Sequence, residues 1–173
     1  YYSLRQIDWM LNPLGLMVLD VSLNTVNGGS FQIVVGKAEY WSSRCATIPK
    51  VEGFRQREAA LELGDSATYQ RFAKRCGVFR SDLLEMVGRF TSETSVIAGY
   101  GASTKGNTLL QYCGIGPKEL PYIADRNPWK FGRLTPGSGI PIVSEEFFRA
   151  ETPSAALVLP WHFIAGFVER EHQ

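Results

Sequence analysis

The sequence predicts an α/β protein: a Rossmann-like, doubly wound and mostly parallel sheet, preceded by a helix and a β-hairpin. Three observations predict it. Apolar segments alternate with helical patterns, which favours parallel strands with helices on both faces; these segments lie at 95–100, 122–125, 140–143 and 155–159. A glycine-rich turn follows the first of them. Ahead of them, two alternating segments, 16–23 and 30–36, predict the hairpin.

Length, composition and charge indicate an ordinary globular protein of one domain, or of one domain and a piece of another. The chain has 173 residues, of which 45% are apolar and 20% are charged. Its 18 basic and 17 acidic side chains give no basic excess for nucleic acid, and no apolar run approaches the roughly 18 residues of a membrane span. We therefore expect no nucleic acid and no membrane among its partners.

The cysteines and histidines bear on compartment and metal content. Cys45, Cys76 and Cys113 are widely spaced and odd in number, which argues against a disulfide framework. The sequence has no Cys-x-x-Cys pair and two histidines, His162 and His172, so a structural zinc site is not expected. Reduced thiols are typical of a cytoplasmic protein, and we expect a cytoplasmic protein without a metal.

The first residues of the chain predict a helix. Ser3 is suited to cap its start, and Asn12-Pro13 and Gly15 predict its end. Because Tyr1 is not a methionine, we interpret the chain as a piece of a longer protein. In the strand that follows, Val18 and Asp20 should face one way, with Leu19 and Val21 opposite. A two-stranded hairpin is marginal alone, so we expect it to pack on the later domain, to pair with another copy as a homodimer, or to be poorly ordered.

A linker and helices should connect the hairpin to the sheet. The pattern breaks down over 37–53, which predicts a linker, and 54–63 reads as a helix ended by Gly64. Asp65 or Ser66 would then cap a long helix to about residue 90. Its apolar stripe consists of Tyr69, Phe72, Ala73, Cys76, Phe79, Leu83, Leu84 and Val87.

The sharpest functional motif is Gly-Tyr-Gly-Ala-Ser-Thr-Lys-Gly-Asn-Thr at 99–108. Gly99 and Gly101 permit a tight turn and close approach of a ligand to the backbone. The first amides of the following helix and its dipole favour an anion. Lys105 adds a mobile charge, and Ser103 and Thr104 add hydroxyl donors. This combination predicts a phosphate-binding turn.

A purely structural explanation of this turn stays open. The motif matches neither Gly-x-Gly-x-x-Gly nor Gly-x-x-x-x-Gly-Lys-Ser/Thr, because Gly106 falls five residues after Gly101. The glycines could serve only the packing of a tight connection between strand and helix.

The next strand ends at Asp125, at the carboxyl edge where ligands bind in such folds. Asp125 could hold ribose hydroxyls, or it could cap a turn with Asn127-Pro128. Lys130 and Arg133 would add positive charge beside it. The turn-rich segment 134–139 could close over a ligand or remain a solvated connection.

His162, in Pro160-Trp161-His162, follows the last predicted strand and shares that edge. It could act as a base or hydrogen-bond a sugar. The simpler explanation is that Trp161 packs and His162 caps the next helix.

Together these motifs resemble the C-terminal domain of S-adenosylmethionine-dependent sugar C-methyltransferases, which act on deoxysugars attached to a nucleoside diphosphate. The stretches that carry the resemblance are Gly-Tyr-Gly-Ala-x-x-Lys-Gly-Asn-Thr-Leu-Leu (99–110), Tyr-Cys-Gly-Ile (112–115), Asp-Arg-Asn-Pro (125–128), Pro-Gly-x-x-Ile-Pro-Ile (136–142) and Leu-Pro-Trp-His (159–162). The opening Tyr-Tyr-Ser-Leu and Val-Asn-Gly-Gly-Ser at 26–30 resemble the end of the family's class I methyltransferase domain.

The resemblance implies a domain plan and a reaction. Residues 1–37 would end the methyltransferase domain, 38–92 would be a linker and long connecting helices, and 93–173 would form a nucleotide-binding-like α/β domain, incomplete at its end. In the family, a carbon beside a ketone loses a proton, and the enolate attacks the sulfonium methyl group. This chain's share would be to hold the nucleotide-sugar in line for that attack.

The resemblance also suggests which residues contact the nucleotide-sugar. They are Gly101, Ser103, Lys105, Gly106 and Asn107, with Asp125, Asn127, Lys130 and His162 from the same edge. No catalytic residue is expected here apart from His162, because the family's Glu-His acid/base pair lies just upstream of Tyr-Tyr-Ser. Its donor-binding motif and zinc module are also outside the chain, so the S-adenosylmethionine of the full-length protein should not bind this part. Asn27 stands where the family often has histidine, which leaves its role open.

A second interpretation is a stand-alone nucleotide- or dinucleotide-binding module without methyl transfer, in which the turn and Asp125 would look the same. The full length of the gene separates the two interpretations. A pure interaction domain is disfavoured, because the sequence shows no large apolar helix face and no charge block.

Overall fold

Six strands form two sheets in the part of the chain that the computed structural model describes, residues 2–44, 48–92 and 96–171. The chain divides into two units, Tyr1–Ala73 and Lys74–Gln173. None of the described helices is both long and apolar enough to cross a bilayer. Cys76 and Cys113 are free thiols, and Cys45 lies outside the described residues.

The first unit contains α1 (Leu4–Leu11), β1 (Leu16–Asn24), β2 (Ser30–Lys37), α2 (Ala38–Trp41) and α3 (Pro49–Ala60). Ser3 caps α1 as predicted, because its Oγ accepts the N–H of Gln6 while the Gln6 side chain accepts the N–H of Ser3. Gly15 ends this helical segment in the left-handed conformation at φ 67°. The strands pair antiparallel, so the predicted hairpin is confirmed.

The predicted facing of β1 is wrong beyond Val18. A register shift between Val18 and Asp20 inserts an extra residue, and Val18 and Val21 are both buried. An extra residue in one strand of a pair turns the following side chains to the other face. Strict alternation in the sequence could not show this bulge.

The hairpin packs on α1 and α3 of its own unit, an arrangement that is not among those expected from the sequence. The buried side chains are Leu4, Val18, Val21 and Val51, with Ile7, Leu11, Phe31, Ile33, Ile48 and Phe54 packed around them. The predicted linker over 37–53 is wrong at both ends, because α2 occupies Ala38–Trp41 and α3 already begins at Pro49. Proline suits the first turn of a helix, where its missing N–H costs nothing. The predicted stop at Gly64 is wrong too, because α3 ends at Ala60. A homodimer through the hairpin stays a prediction.

Helix α4 (Ser66–Ser92) is the long helix that the sequence predicts. Asp65 caps it, with its Oδ1 accepting the N–H of Ala67 at 2.9 Å. Leu83 and Val87 of the predicted stripe are buried, whereas Tyr69 is 55% exposed. Only the later part of the stripe therefore faces a core.

The second unit holds β3 (Ile97–Tyr100), α5 (Thr104–Cys113), β4 (Ile123–Asp125), β5 (Ile142–Ser144), α6 (Glu145–Glu151), β6 (Ala155–Val158) and α7 (Ile164–Glu171). Its four strands are all parallel, in the order β5-β4-β3-β6. The start of the predicted strand at Ser95 lies outside the described residues.

Helices cover both faces of this sheet, so the predicted doubly wound fold is confirmed. Leu83 of α4 and Leu110 of α5 share a buried cluster with Ile97 and Ile123 of the strands. On the opposite face, the Tyr100 ring lies 5.1 Å from the rings of Phe148 in α6 and Phe167 in α7. From β3 the chain goes first to β4 and β5 on one side, and it then returns to β6 on the other. The switch point of the topology is thus between β3 and β6.

Candidate functional site

A cleft of about 510 Å³ opens at the carboxyl edge of the parallel sheet. Its walls come from the turn after β3, the residues after β4, the segment Pro160–Phe163 after β6, and α7. This is the switch point, where ligands of open α/β sheets bind. The edge of the sheet that the sequence predicts for ligand binding therefore carries a cleft in the structure.

The glycine-rich turn is held tightly at Gly101. Its φ is +84°, and a Cβ there would lie 2.5 Å from Cγ of Pro160. The N–H of Gly101 donates to the carbonyl of Ala124 at 2.7 Å, and the N–H of Ser103 donates to the carbonyl of Gly101 at 2.8 Å. Only glycine fits both this conformation and this contact.

Ser103 and Gly106 shape the start of α5. The Oγ of Ser103 accepts the N–H of Gly106 at 3.0 Å, which caps the helix. Gly106 is buried, and a Cβ there would lie 2.5 Å from Cβ of Leu159. The packing explanation of this glycine thus has direct support, and its contact with a ligand stays a prediction.

Asp125 is 9% exposed and accepts three donors. Its Oδ1 takes the N–H of Asn127 at 2.8 Å, so the turn-capping explanation is correct. Its Oδ2 takes the N–H of Ala102 and the ammonium of Lys130, each at 2.9 Å. Ribose binding by Asp125 stays a prediction.

Five of the nine predicted contact residues line this cleft: Gly101, Ser103, Asp125, Lys130 and His162. The other four lie outside its described lining. Lys105 is exposed and Gly106 is buried. Asn107 accepts the hydroxyl of Ser138, and Asn127 accepts the N–H of Trp129.

Hydrogen bonds hold the segment 134–139 against neighbouring parts of the second unit. The side chain of Gln111 in α5 donates to the carbonyl of Pro136 at 2.7 Å, and Leu134 pairs with Pro141. Arg133 directs its Nε to the carbonyl of Trp129 at 2.7 Å. These contacts favour a fixed connection over a mobile cover.

His162 lines the cleft beside an exposed aromatic ring. Its ring centroid lies 4.3 Å from that of Phe163. Its Nδ1 is buried and makes no hydrogen bond within the described residues. An imidazole nitrogen is able to form a hydrogen bond with a bound ligand.

Sequence reasoning missed three charged residues of the lining: Arg126, Glu145 and Arg170. Arg126 stands in the Asp-Arg-Asn-Pro motif, so its position was available. Glu145 opens α6 directly after β5, where an acidic residue also suits the helix dipole. No neighbouring residue in the sequence indicates a role for Arg170. The packing of α7 brings its guanidinium to the carboxylate of Glu145, to which it donates at 2.9 Å.

An ion network beside the cleft joins the two helices α6 and α7 to β3. Arg149 donates to Glu171 at 2.9 Å and to Glu145 at 3.4 Å, and the Tyr100 hydroxyl donates to Glu171. Burial, reinforced by Glu171, raises the pKa of Tyr100 above its usual range. The hydrogen bond from Arg149 lowers the pKa of Glu171, and burial opposes this only in part.

The lowered pKa of Glu171 predicts a loss of stability in acid. A carboxylate whose pKa is lower in the folded state stabilises the fold above its ordinary pKa, and this stabilisation is lost as the pH falls through the lowered value. We expect the free energy of unfolding to fall more between pH 7 and about pH 3 for the wild type than for Glu171→Gln. Denaturant titrations at both pH values measure this. Equal losses would show that Glu171 is not linked to folding.

A parallel doubly wound sheet with a glycine-rich turn at its switch point defines a Rossmann-like α/β domain. Comparison of the sequence with known proteins identifies the family. The family described as C-methyltransferase C-terminal domain matches residues 25–173, and the chain belongs to this family, as its motifs suggested. The C-methyltransferase NovU of Streptomyces niveus is 31% identical over all 173 residues. The chain spans 40% of the length of NovU.

Proposed function

We propose that the full-length protein is an S-adenosylmethionine-dependent C-methyltransferase that acts on a nucleoside-diphosphate-linked keto-deoxysugar, and that this chain positions the nucleotide-sugar. Membership of the family and the likeness to NovU support methyl transfer to carbon. The observation that carries the assignment to this chain is the cleft at the switch point, with the glycine-rich turn as one wall. The free thiols of Cys76 and Cys113 are in keeping with a cytoplasmic enzyme.

The charges of the cleft suit a diphosphate. Its lining contains the cations Arg126, Lys130 and Arg170 and the carboxylates Asp125 and Glu145. The ion pairs Lys130–Asp125 and Arg170–Glu145, each at 2.9 Å, neutralise two of the cations. Arg126 is left as excess positive charge, and the amino end of α5 adds a partial one.

The same charges do not suit the methyl donor. S-adenosylmethionine carries a sulfonium cation, and a lining with excess positive charge disfavours it. We therefore assign the nucleotide-sugar, and not the methyl donor, to this cleft. The chain's contribution is to fix the sugar by its nucleotide end, which converts an encounter of two molecules into a reaction between oriented groups.

Methyl transfer assays test the proposal. The full-length protein should transfer labelled methyl groups from S-adenosylmethionine to nucleotide-linked keto-sugars, and residues 1–173 alone should not. Turnover by residues 1–173 alone would contradict the division of labour. Nucleotide binding by the full-length protein without any methyl transfer would favour the binding-module interpretation.

A further inference from the structure

Asp125 and Lys130 bind the two backbone polar groups of one residue of the glycine-rich turn, Ala102. The N–H of Ala102 donates to Asp125 Oδ2 at 2.9 Å, and the Lys130 ammonium donates to the carbonyl of Ala102 at 2.9 Å. The ammonium and Asp125 Oδ2 are themselves 2.9 Å apart. We call this closed triangle the Ala102 clasp.

The clasp uses the two side chains internally. Asp125 is 9% exposed, and its other oxygen accepts the N–H of Asn127 at 2.8 Å. Each carboxylate oxygen thus already has a donor, and the charge of Lys130 is compensated where it stands. Both residues line the cleft, but their polar atoms are directed at the turn.

The clasp determines where the turn lies. On one side, Gly101 abuts Pro160 and donates to the carbonyl of Ala124. On the other side, the clasp holds both polar groups of Ala102. Ser103, which follows directly, caps α5, so the position of Ala102 sets the position of the first amides of that helix. These amides are the fixed donors that an anion at the turn would meet.

We propose that Asp125 and Lys130 are positioning residues: the clasp fixes the turn in the conformation that receives the diphosphate, and neither side chain is the main contact to it. This inference rests on the proposed function, because the diphosphate is taken as the ligand of the turn. It differs from the two roles that the sequence suggested, ribose binding by Asp125 and a direct charge contact by Lys130.

The three roles predict different results for Asp125→Ala with two probes. If Lys130 binds phosphate directly, removing the neighbouring carboxylate strengthens the binding of inorganic pyrophosphate, because the cleft becomes more positive. If Asp125 binds the ribose, uridine diphosphate binds more weakly and the binding of pyrophosphate is not weakened. If the clasp positions the turn, both probes bind about tenfold or more weakly, despite the gain in positive charge.

Calorimetry on the full-length protein decides between them. The variants are Asp125→Ala, Lys130→Met and the double variant, with Glu85→Gln as the matched control. Glu85 is the carboxylate of an ion pair with Arg89 on α4, in side chains that are 70% exposed. Because both single variants open the same clasp, the double variant should bind no more weakly than the weaker single one. Hydrogen exchange at the Ala102 amide should be faster in all three variants and unchanged in Glu85→Gln.

Two outcomes would overturn the inference: Asp125→Ala binding pyrophosphate as well as or better than the wild type, or additive losses in the double variant. Wild-type protein that binds neither probe would instead contradict the proposed function of the cleft. In that case the amide exchange alone decides whether the clasp fixes the turn: unchanged exchange at Ala102 in the variants would overturn it, and faster exchange would support it.

Discussion

Replacing Gly101 by alanine should lower the free energy of unfolding by about 2–5 kcal/mol and remove nucleoside diphosphate binding. An L-residue in the left-handed region costs about 1–2 kcal/mol, and φ here is +84°. The added Cβ would also lie 2.5 Å and 2.6 Å from Cγ and Cδ of Pro160. A proline ring cannot rotate away, so we add about 1–3 kcal/mol for overpacking.

Gly114→Ala is the matched control, because Gly114 also has a positive φ, +73°, and a Cβ there meets nothing within 4 Å. Gly114→Ala should therefore lower the free energy of unfolding only by the conformational cost, about 1–2 kcal/mol. Urea unfolding of the wild type and both variants measures the difference, and calorimetry measures binding. If the two variants lose the same stability, the contact with Pro160 does not constrain the turn.

Removing Arg126 should weaken the binding of nucleoside diphosphates by about tenfold to a hundredfold. Arg126 lines the cleft and supplies its excess positive charge, and one charge-assisted hydrogen bond is worth about 1.5–3 kcal/mol. From the sequence, Lys105 is the residue expected to supply this hydrogen bond. Lys105 is exposed and outside the described lining of the cleft, although its long side chain gives it reach.

Calorimetry of Arg126→Ala and Lys105→Ala in the full-length protein separates the two cations. We expect both variants to bind more weakly, with the larger loss in Arg126→Ala, and unchanged melting temperatures. Wild-type affinity in Lys105→Ala would remove that residue from the site. A larger loss in Lys105→Ala than in Arg126→Ala would contradict the assignment of charge within the cleft.

Elements defined by local signals were predictable from the sequence. The cap at Ser3, the helix stop at Gly15 and the strand–turn–helix around Gly101 depend on neighbouring residues, and the structure has them as predicted. Two predictions were wrong because the feature depends on contacts with residues distant in the sequence. The bulge after Val18 depends on pairing with β2, and the early start of α3 depends on Val51 packing into the core of the first unit.

In the candidate site, too, residues with local sequence features were predictable and those placed by distant contacts were not. The motif residues Gly101, Ser103 and Asp125 were identified because they lie at or just after the carboxyl ends of parallel strands. Arg170 was missed because it joins the cleft only through the packing of α7. The contacts of Asp125 could not be predicted either. An aspartate at the end of a strand is expected in the sequence whether it binds a ribose or the Ala102 amide.

The most direct test of the central claim is a crystal structure of the full-length protein with a nucleoside diphosphate. We predict the diphosphate in the cleft at the carboxyl ends of β3 and β6, within hydrogen-bonding distance of backbone amides at the start of α5. A diphosphate bound elsewhere on the protein, with this cleft unoccupied under the same conditions, would contradict the account.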